Sequence, residues 1–368
     1  MARARSPPVT TAAKVTTQAA KKEYKGQTPF QTRLTAAPRF ELQTSVSSKM
    51  AYIDDEEASY QRALNFLKDN EPERRLDIRL SYQTFRALEA QAQALYGDAK
   101  YPRVEYSGTD SRVTIYTVPT QLHGTSASAL QMAIRDSVRD GLLRHNKQEL
   151  LRRIIPIGES TISSFDDLGQ GSTKTPDGGF VYIDSSTGRQ ELALIIEAGV
   201  SEQYQQLRAD ISVWLSDIHC RTAILLWFKE SPRFRNPTNA NAYSVDDRPA
   251  FDDAAQQAQR DHPLGPYRYR DHDWCGTIAE AFIEIFRSDS NNEVPARYPI
   301  AENGLIVVEG QSLDIGLILG DLFPLDDEAV GNARTERIRL DMGFVQSALA
   351  SATRGTAVTR FSRFMNAN

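Results

Sequence analysis

The 368-residue chain has little that would tie it to a membrane or to an oxidising compartment. Its two cysteines, Cys220 and Cys275, are too few for a disulfide framework. The longest apolar run, Ala223–Phe228, falls far short of the roughly 20 residues that cross a bilayer, so no membrane span is expected. The N-terminus lacks the apolar core of a secretory signal, which with the scarce cysteine points to an intracellular protein. No segment repeats at a period of about 20–50 residues, which excludes solenoids and propellers. The G-x-S-x-G, H-E-x-x-H, G-x-x-x-x-G-K and G-x-G-x-x-G signatures are missing, so the common hydrolase, zincin, nucleoside-triphosphatase and dinucleotide-binding folds have no support. Oligomeric state leaves no readable mark.

What is present divides by charge. Residues 1–40 carry about +7, leaving about −12 on the rest of a chain whose net charge is −5. A basic stretch rich in Ala, Thr and Pro buries too little surface to offset chain entropy, so residues 1–50 are expected to form a disordered tail. That tail reads as a mitochondrial transit segment, as a nuclear-import or nucleic-acid arm on Lys21, Lys22 and Lys25, or as a solvated extension. A nuclear or cytoplasmic address is favoured over a mitochondrial one.

Beyond the tail, hydrophobic periodicity predicts an α/β domain. A helix runs from the N-cap Ser81 to Leu95, with Phe85, Leu88, Ala92 and Leu95 on one face and Gly97 as its stop. Arg103–Tyr106 and Arg112–Val118 alternate like a hairpin around Ser107–Asp110. Leu130, Ile134, Val138 and Leu142 mark a second helix. Phe180–Ile183, Leu192–Glu197 and Ala223–Phe228 read as strands. A helix over Glu202–Ser216 joins the last two as a crossover between parallel neighbours. Residues 231–273 show no period and read as a long polar loop. Ile278–Phe286, Leu305–Val308 and Leu313–Leu322 add further elements, and a helix through Ile338, Met342 and Val345 is expected after Asp326.

Two acids stand where chemistry is expected. Asp177 sits at the mouth of the Phe180–Ile183 strand, and Glu197 closes five apolar residues, a place where an unpaired charge would not point into a dry core. Carboxylates at about 4 Å repel by about 4 kcal/mol at an effective dielectric near 20. Either one stays protonated or a hard divalent cation such as Mg²⁺ or Mn²⁺ bridges them.

Thr175-Pro176-Asp177 followed by Glu197-Ala198-Gly199-Val200-Ser201-Glu202, with Leu207, Asp210, Trp214 and Leu215 at helical spacings, resembles the PD-(D/E)xK nuclease superfamily. The likeness is greatest to a fungal branch known mostly as hypothetical proteins. It spans about residues 100–325 and takes in the Arg103–Tyr106 strand, His123 and the Phe282–Arg287 segment. The resemblance implies a restriction-endonuclease-like mixed sheet flanked by helices over residues 75–325, with residues 326–368 as a helical or flexible extension. It also implies a metal-dependent nuclease acting on DNA or RNA, with Mg²⁺ or Mn²⁺ on Asp177 and Glu197. Glu105 is either a third acidic ligand or a solvent-facing hairpin residue.

Gly199 stands where the superfamily's lysine would be. Gln203 or Arg208 on the following helix, or Lys174 ahead of Asp177, are the candidates to replace it. Gln205 points about 135° away from the buried stripe. Ser201 reads as the helix N-cap, with Glu202 favouring the positive end of the dipole. The missing lysine keeps a second reading open, a catalytically degenerate module that binds nucleic acid or protein. His219, Cys220, His272 and Cys275 have no usual zinc spacing. Arg233–Arg235 and Tyr267–Arg270 interleave cations and aromatics, which fits either a single-strand binding surface or a solvated loop.

Overall fold

The computed structural model describes residues 47–69, 71–97, 99, 101–165, 171–184, 187–200, 203–239, 243–289, 294–307 and 312–367. Residues 1–46 of the expected tail, together with Ser201 and Glu202, lie outside the described residues, and the last four residues of that expected tail open the first helix. In chain order the elements are α1 (Ser47–Asp69), β1 (Arg75–Arg79), α2 (Tyr82–Tyr96), β2 (Arg103–Ser107), β3 (Arg112–Tyr116) and α3 (Gln121–Arg144). There follow β4 (Ile154–Ile157), β5 (Ile162–Phe165), β6 (Gly171–Lys174), β7 (Gly178–Ile183), β8 (Gln190–Val200), α4 (Tyr204–Ser216) and β9 (Thr222–Ser231). The remainder is α5 (Arg248–Asp261), β10 (Tyr267–Tyr269), β11 (His272–Cys275), β12 (Thr277–Arg287), β13 (Arg297–Glu302), β14 (Leu305–Ile306), β15 (Ser312–Ile318), β16 (Arg337–Asp341) and α6 (Met342–Ala367).

The protein is a mixed α/β structure built on two larger sheets. The first has seven strands in the order β14-β13-β12-β9-β8-β7-β4, antiparallel throughout except for β8 and β9, which run parallel as the crossover through α4 requires. Residues Ala193–Ile196 of β8 and Ala223–Leu226 of β9 are buried on both faces. Leu194, Ile196, Ile224 and Leu226 pack with Leu130, Ile134, Val138 and Leu142 of α3 and with Met342, Val345 and Leu349 of α6. On the other face Ile195, Ala223 and Leu225 meet Leu207, Ile211 and Trp214 of α4. Each such side chain contributes about 1.5–3 kcal/mol on burial, which is why uninterrupted apolar strands end up in the middle of a covered sheet.

The second sheet has five short strands in the order β1-β3-β2-β6-β5. Here the strands alternate, and the alternation decides the two faces. Leu76, Ile78, Tyr106, Val113 and Ile115 pack with Phe85, Leu88 and Ala92 of α2 and with Ala63, Phe66 and Leu67 of α1. The opposite face carries Arg75, Asp77, Arg103, Glu105, Arg112, Tyr116 and Lys174, and it is turned towards α4. Arg75 and Tyr116 both bond Asp210, and Gln206 donates to Asp77.

Helix α2 starts where expected: the Ser81 hydroxyl accepts from the backbone N–H of Thr84, and Gly97 closes the helix at φ 59°. Its apolar stripe is one residue shorter than expected, since Leu95 is 49% exposed. The segment 231–273 is not a structureless loop. It holds α5, opened by Pro249, with Phe251 and Ala255 buried, and the ribbon β10–β11. Their stripe is thin and diluted by Asp and Gln, so no helical period shows. Ile338 lies on β16, paired with β15, rather than on a helix. The residues after Asp326 add β16 and α6 to the unit Lys49–Asn368, and Ile338, Leu340, Met342, Val345, Leu349 and Ala352 belong to its main core. No described helix is long and apolar enough to cross a membrane.

Candidate functional site

The turn Thr175–Asp177 carries the chain from one sheet to the other: Lys174 ends β6 and Gly178 begins β7. Asp177 is clamped onto β8 on both sides of Glu197. Its backbone N–H donates to the carbonyl of Ile196 at 3.1 Å, and its Oδ2 accepts from the N–H of Ala198 at 2.9 Å. The strands approach so closely beyond this point that a Cβ on Gly179 would lie 2.5 Å from the Leu194 carbonyl oxygen, which explains the glycine there. Two carboxylates separated by twenty residues of sequence thus share one end of the β7–β8 pair.

Their environments differ. Burial acts to raise the Asp177 pKa, but His123, whose Nε2 is 2.8 Å from Oδ1, outweighs it together with Arg103 at 3.5 Å and the Ala198 N–H, holding the carboxyl below its usual range. His123 stands in the first turn of α3, which is capped by the Thr120 hydroxyl. For Glu197 burial dominates. With the negative charges of Asp177, Glu105 and Asp210, and against the pull of Lys174, it holds that carboxyl well above its usual range. The Trp214 indole N–H donates to Glu197 Oε1, and Oε2 has no hydrogen bond or ion pair among the described residues.

Behind the pair sits a buried charge cluster. Lys174 Nζ lies 3.0 Å from Glu105, 3.4 Å from Asp210 and 4.0 Å from Glu197. Burial alone would lower its pKa, but these carboxylates raise it above the ordinary lysine value, so Lys174 is an ammonium. Asp210 also accepts from Arg75 at 2.6 Å, Arg112 at 3.3 Å and Tyr116 at 2.9 Å, and despite burial its carboxyl is held far below the ordinary range. Glu105 is not solvent-facing. It is 5% exposed, with Oε1 accepting from the Thr175 N–H and Oε2 from Lys174.

The pair opens into a cavity of about 810 Å³. Its walls come from Glu71–Arg75, Tyr101–Glu105, the start of α3, the β8–α4 junction, residues 230–236 and the end of α6. On the far wall Arg360 pairs with Glu230 at 2.6 Å and Glu73 at 2.7 Å and lies 4.4 Å over the Phe234 ring.

Of the residues singled out in the sequence, Asp177, Glu197, Lys174 and Glu105 converge. Gln203 lies on the cavity wall as the residue preceding α4, and Gln205 is exposed as expected. Arg208 is turned elsewhere, its guanidinium 5.8 Å over Tyr204 and 5.7 Å over Phe286, on the flank of α4 away from Asp210. Cys220 and Cys275 are both buried but in separate clusters, and no three His, Cys, Asp or Glu side chains converge as a metal-ligand set among the described residues. Tyr267 is buried, with its hydroxyl on the Pro263 carbonyl, so Tyr267–Arg270 is a ribbon anchored by its first aromatic, with Arg268 and Arg270 exposed. Arg233–Asn236 does line the cavity.

Sequence reading missed Arg75, Arg103, Arg112 and the role of His123. The three arginines begin their strands, and strand alternation could have placed them on one face, but nothing local says which face meets α4. No protein-family model matches the chain, and no curated protein is significantly similar to it.

Proposed function

We propose that the protein hydrolyses phosphodiester bonds of nucleic acid, with a divalent metal, Mg²⁺ or Mn²⁺, held by Asp177 and Glu197. The observation that carries this reading is the clamp of Asp177 around Glu197 in the wall of a cavity edged by arginines. The order of elements supports it: α3, the antiparallel strands β4, β7 and β8, the crossover α4, and β9 parallel to β8 are what a restriction-endonuclease-like core of the PD-(D/E)xK type calls for.

The donor set fits a hard cation. Asp177 is held ionised, Glu197 lines the cavity with its Oε2 unbonded among the described residues and would give up its burial-favoured proton in exchange for a cation, and two carboxylates leave room for the waters that Mg²⁺ retains. Both oxygens of Glu105 are engaged, by Lys174 and the Thr175 N–H, and so are those of Asp177, by His123 with Arg103 and by the Ala198 N–H, so of the three acids Glu197 alone has an oxygen without a partner among the described residues. When bound, the metal would lower the pKa of a water and neutralise charge on a phosphate oxygen. Lys174 takes the place of the lysine absent at Gly199, as a fixed positive charge beside Glu197 and not as a base, because its carboxylate neighbours keep it protonated. Arg103 and His123 hold Asp177 in orientation.

The test is cleavage of single- and double-stranded DNA and RNA in Mg²⁺ or Mn²⁺ by wild type and Asp177→Asn. Cleavage that disappears with chelator and falls at least about 100-fold in the variant is expected, in line with loss of a group that positions charge in the transition state. Equal cleavage by both proteins sinks the proposal. A second reading, a binding module with a degenerate site, is favoured by one observation: Lys174 is tied to Glu105 and Asp210 more closely than to Glu197. Metal-independent binding without cleavage by wild type is its signature.

A further inference from the structure

The shape of the cleft bears on which nucleic acid enters it. The carboxylate pair is recessed: Asp177 and Glu197 are each 7% exposed in the wall of a cavity of about 810 Å³. Walls on several sides, including the end of α6, enclose the carboxylate pair. A duplex is stiff and carries its phosphodiesters on a convex surface, which suits a recessed pair poorly, whereas a single strand can be laid in.

A path for such a strand exists. A groove of about 600 Å³ along α1 shares Glu73, Arg74, Arg75 and Arg233 with the cavity and adds Arg62. At the junction, Arg233 and Arg235 are exposed and carry no ion pair to a described residue, while Arg360 and Arg75 in the same cavity are neutralised by partners. Phe234 between them is wedged against Trp274 and lies beneath Arg360, so the loop is anchored and its two arginines are displayed outward. On a chain body of net negative charge, two unpaired guanidinium groups at the mouth of an enclosed acidic site are where phosphates would be gripped.

We infer that the cleft takes a single strand of nucleic acid and not a duplex, threaded from the cavity into the α1 groove past Arg233 and Arg235, which hold successive phosphates. This rests on the reading of Asp177 and Glu197 as a nucleic-acid site. The test is fluorescence anisotropy of the full chain with labelled oligothymidylate and oligouridylate and with blunt duplexes of the same length, in chelator, from about 50 to 200 mM salt. A strand is expected to bind at least ten-fold more tightly than its duplex. Arg233→Ala/Arg235→Ala, with unchanged thermal unfolding, is expected to lose at least ten-fold in strand affinity and to flatten the salt dependence by about 1.4 in log–log slope, for two phosphate contacts. Duplex binding as tight as strand binding, no binding of either, or a paired variant indistinguishable from wild type would overturn the inference. Because chelator is present throughout, strand-selective binding by a protein that never cleaves would leave the inference standing and remove only the hydrolytic reading. Cleavage confined to duplex would do the reverse.

Discussion

The two large sheets are held by different physics. In the seven-stranded sheet β8 and β9 are apolar on both faces and sandwiched between α3 and α6 on one side and α4 on the other. In the five-stranded sheet only one face is apolar. The other carries arginines, Lys174 and Glu105 against Asp210 of α4, with Lys174, Glu105 and Asp210 buried and the arginines partly so. Burial of apolar area carries no proton and is indifferent to pH at the level of a single side chain. A buried charge cluster is stable only while each member keeps its partner. The candidate site is assembled where the two meet, the apolar sheet presenting Asp177 and Glu197 and the charged one supplying the cations that allow them to lie together.

The sharpest way to break this contrast is to remove the central cation. Lys174→Met leaves Glu105 and Asp210 buried with no ammonium between them and is expected to cost about 3–5 kcal/mol in urea unfolding. A loss below about 1 kcal/mol would show that the cluster is not what holds the second sheet to α4. Next in size is the acid response. The folded Asp210 carboxyl has its pKa depressed below the unfolded value of 3.8, so its stabilisation is complete above that value and is lost as pH falls through the lower folded one. Asp210→Asn should therefore be less stable than wild type near neutrality, with the gap closing below about pH 3.8. A gap that stays constant would contradict the sign. The smallest effect belongs to the apolar sheet: Ile196→Val should cost about 0.5–1.5 kcal/mol and the same amount at either pH.

How much of this was legible follows from the same contrast. The apolar runs announced β7, β8, β9 and the crossover, because continuous burial leaves continuous hydrophobicity in the sequence. The capped α2 and the hairpin β2–β3 were legible from Ser81, Gly97 and strict alternation. Helix α5 was not, because only Phe251, Ala255 and, partly, Ala258 face the core among Asp and Gln. The placement of Ile338 on β16 depends on pairing with β15, which no local pattern encodes. At the site, Asp177 was marked as an acid just ahead of a strand and Glu197 as an acid closing an apolar run, although β8 continues past it to Val200 and buries it. His123 was not, since its spacing from Asp177 in sequence reflects the length of α3 and the strands between.

The sequence by itself determined the α/β character, the parallel pair, the two acids beside apolar strands and the glycine at position 199, because local periodicity and residue type suffice for each. Tertiary structure alone decided that Lys174, from the other sheet, comes within 4.0 Å of Glu197, that Arg208 turns instead towards Tyr204 and Phe286, and that α6 returns to wall the cavity with Arg360. Those are contacts between residues far apart in the chain, and they are set by which faces the packing brings together.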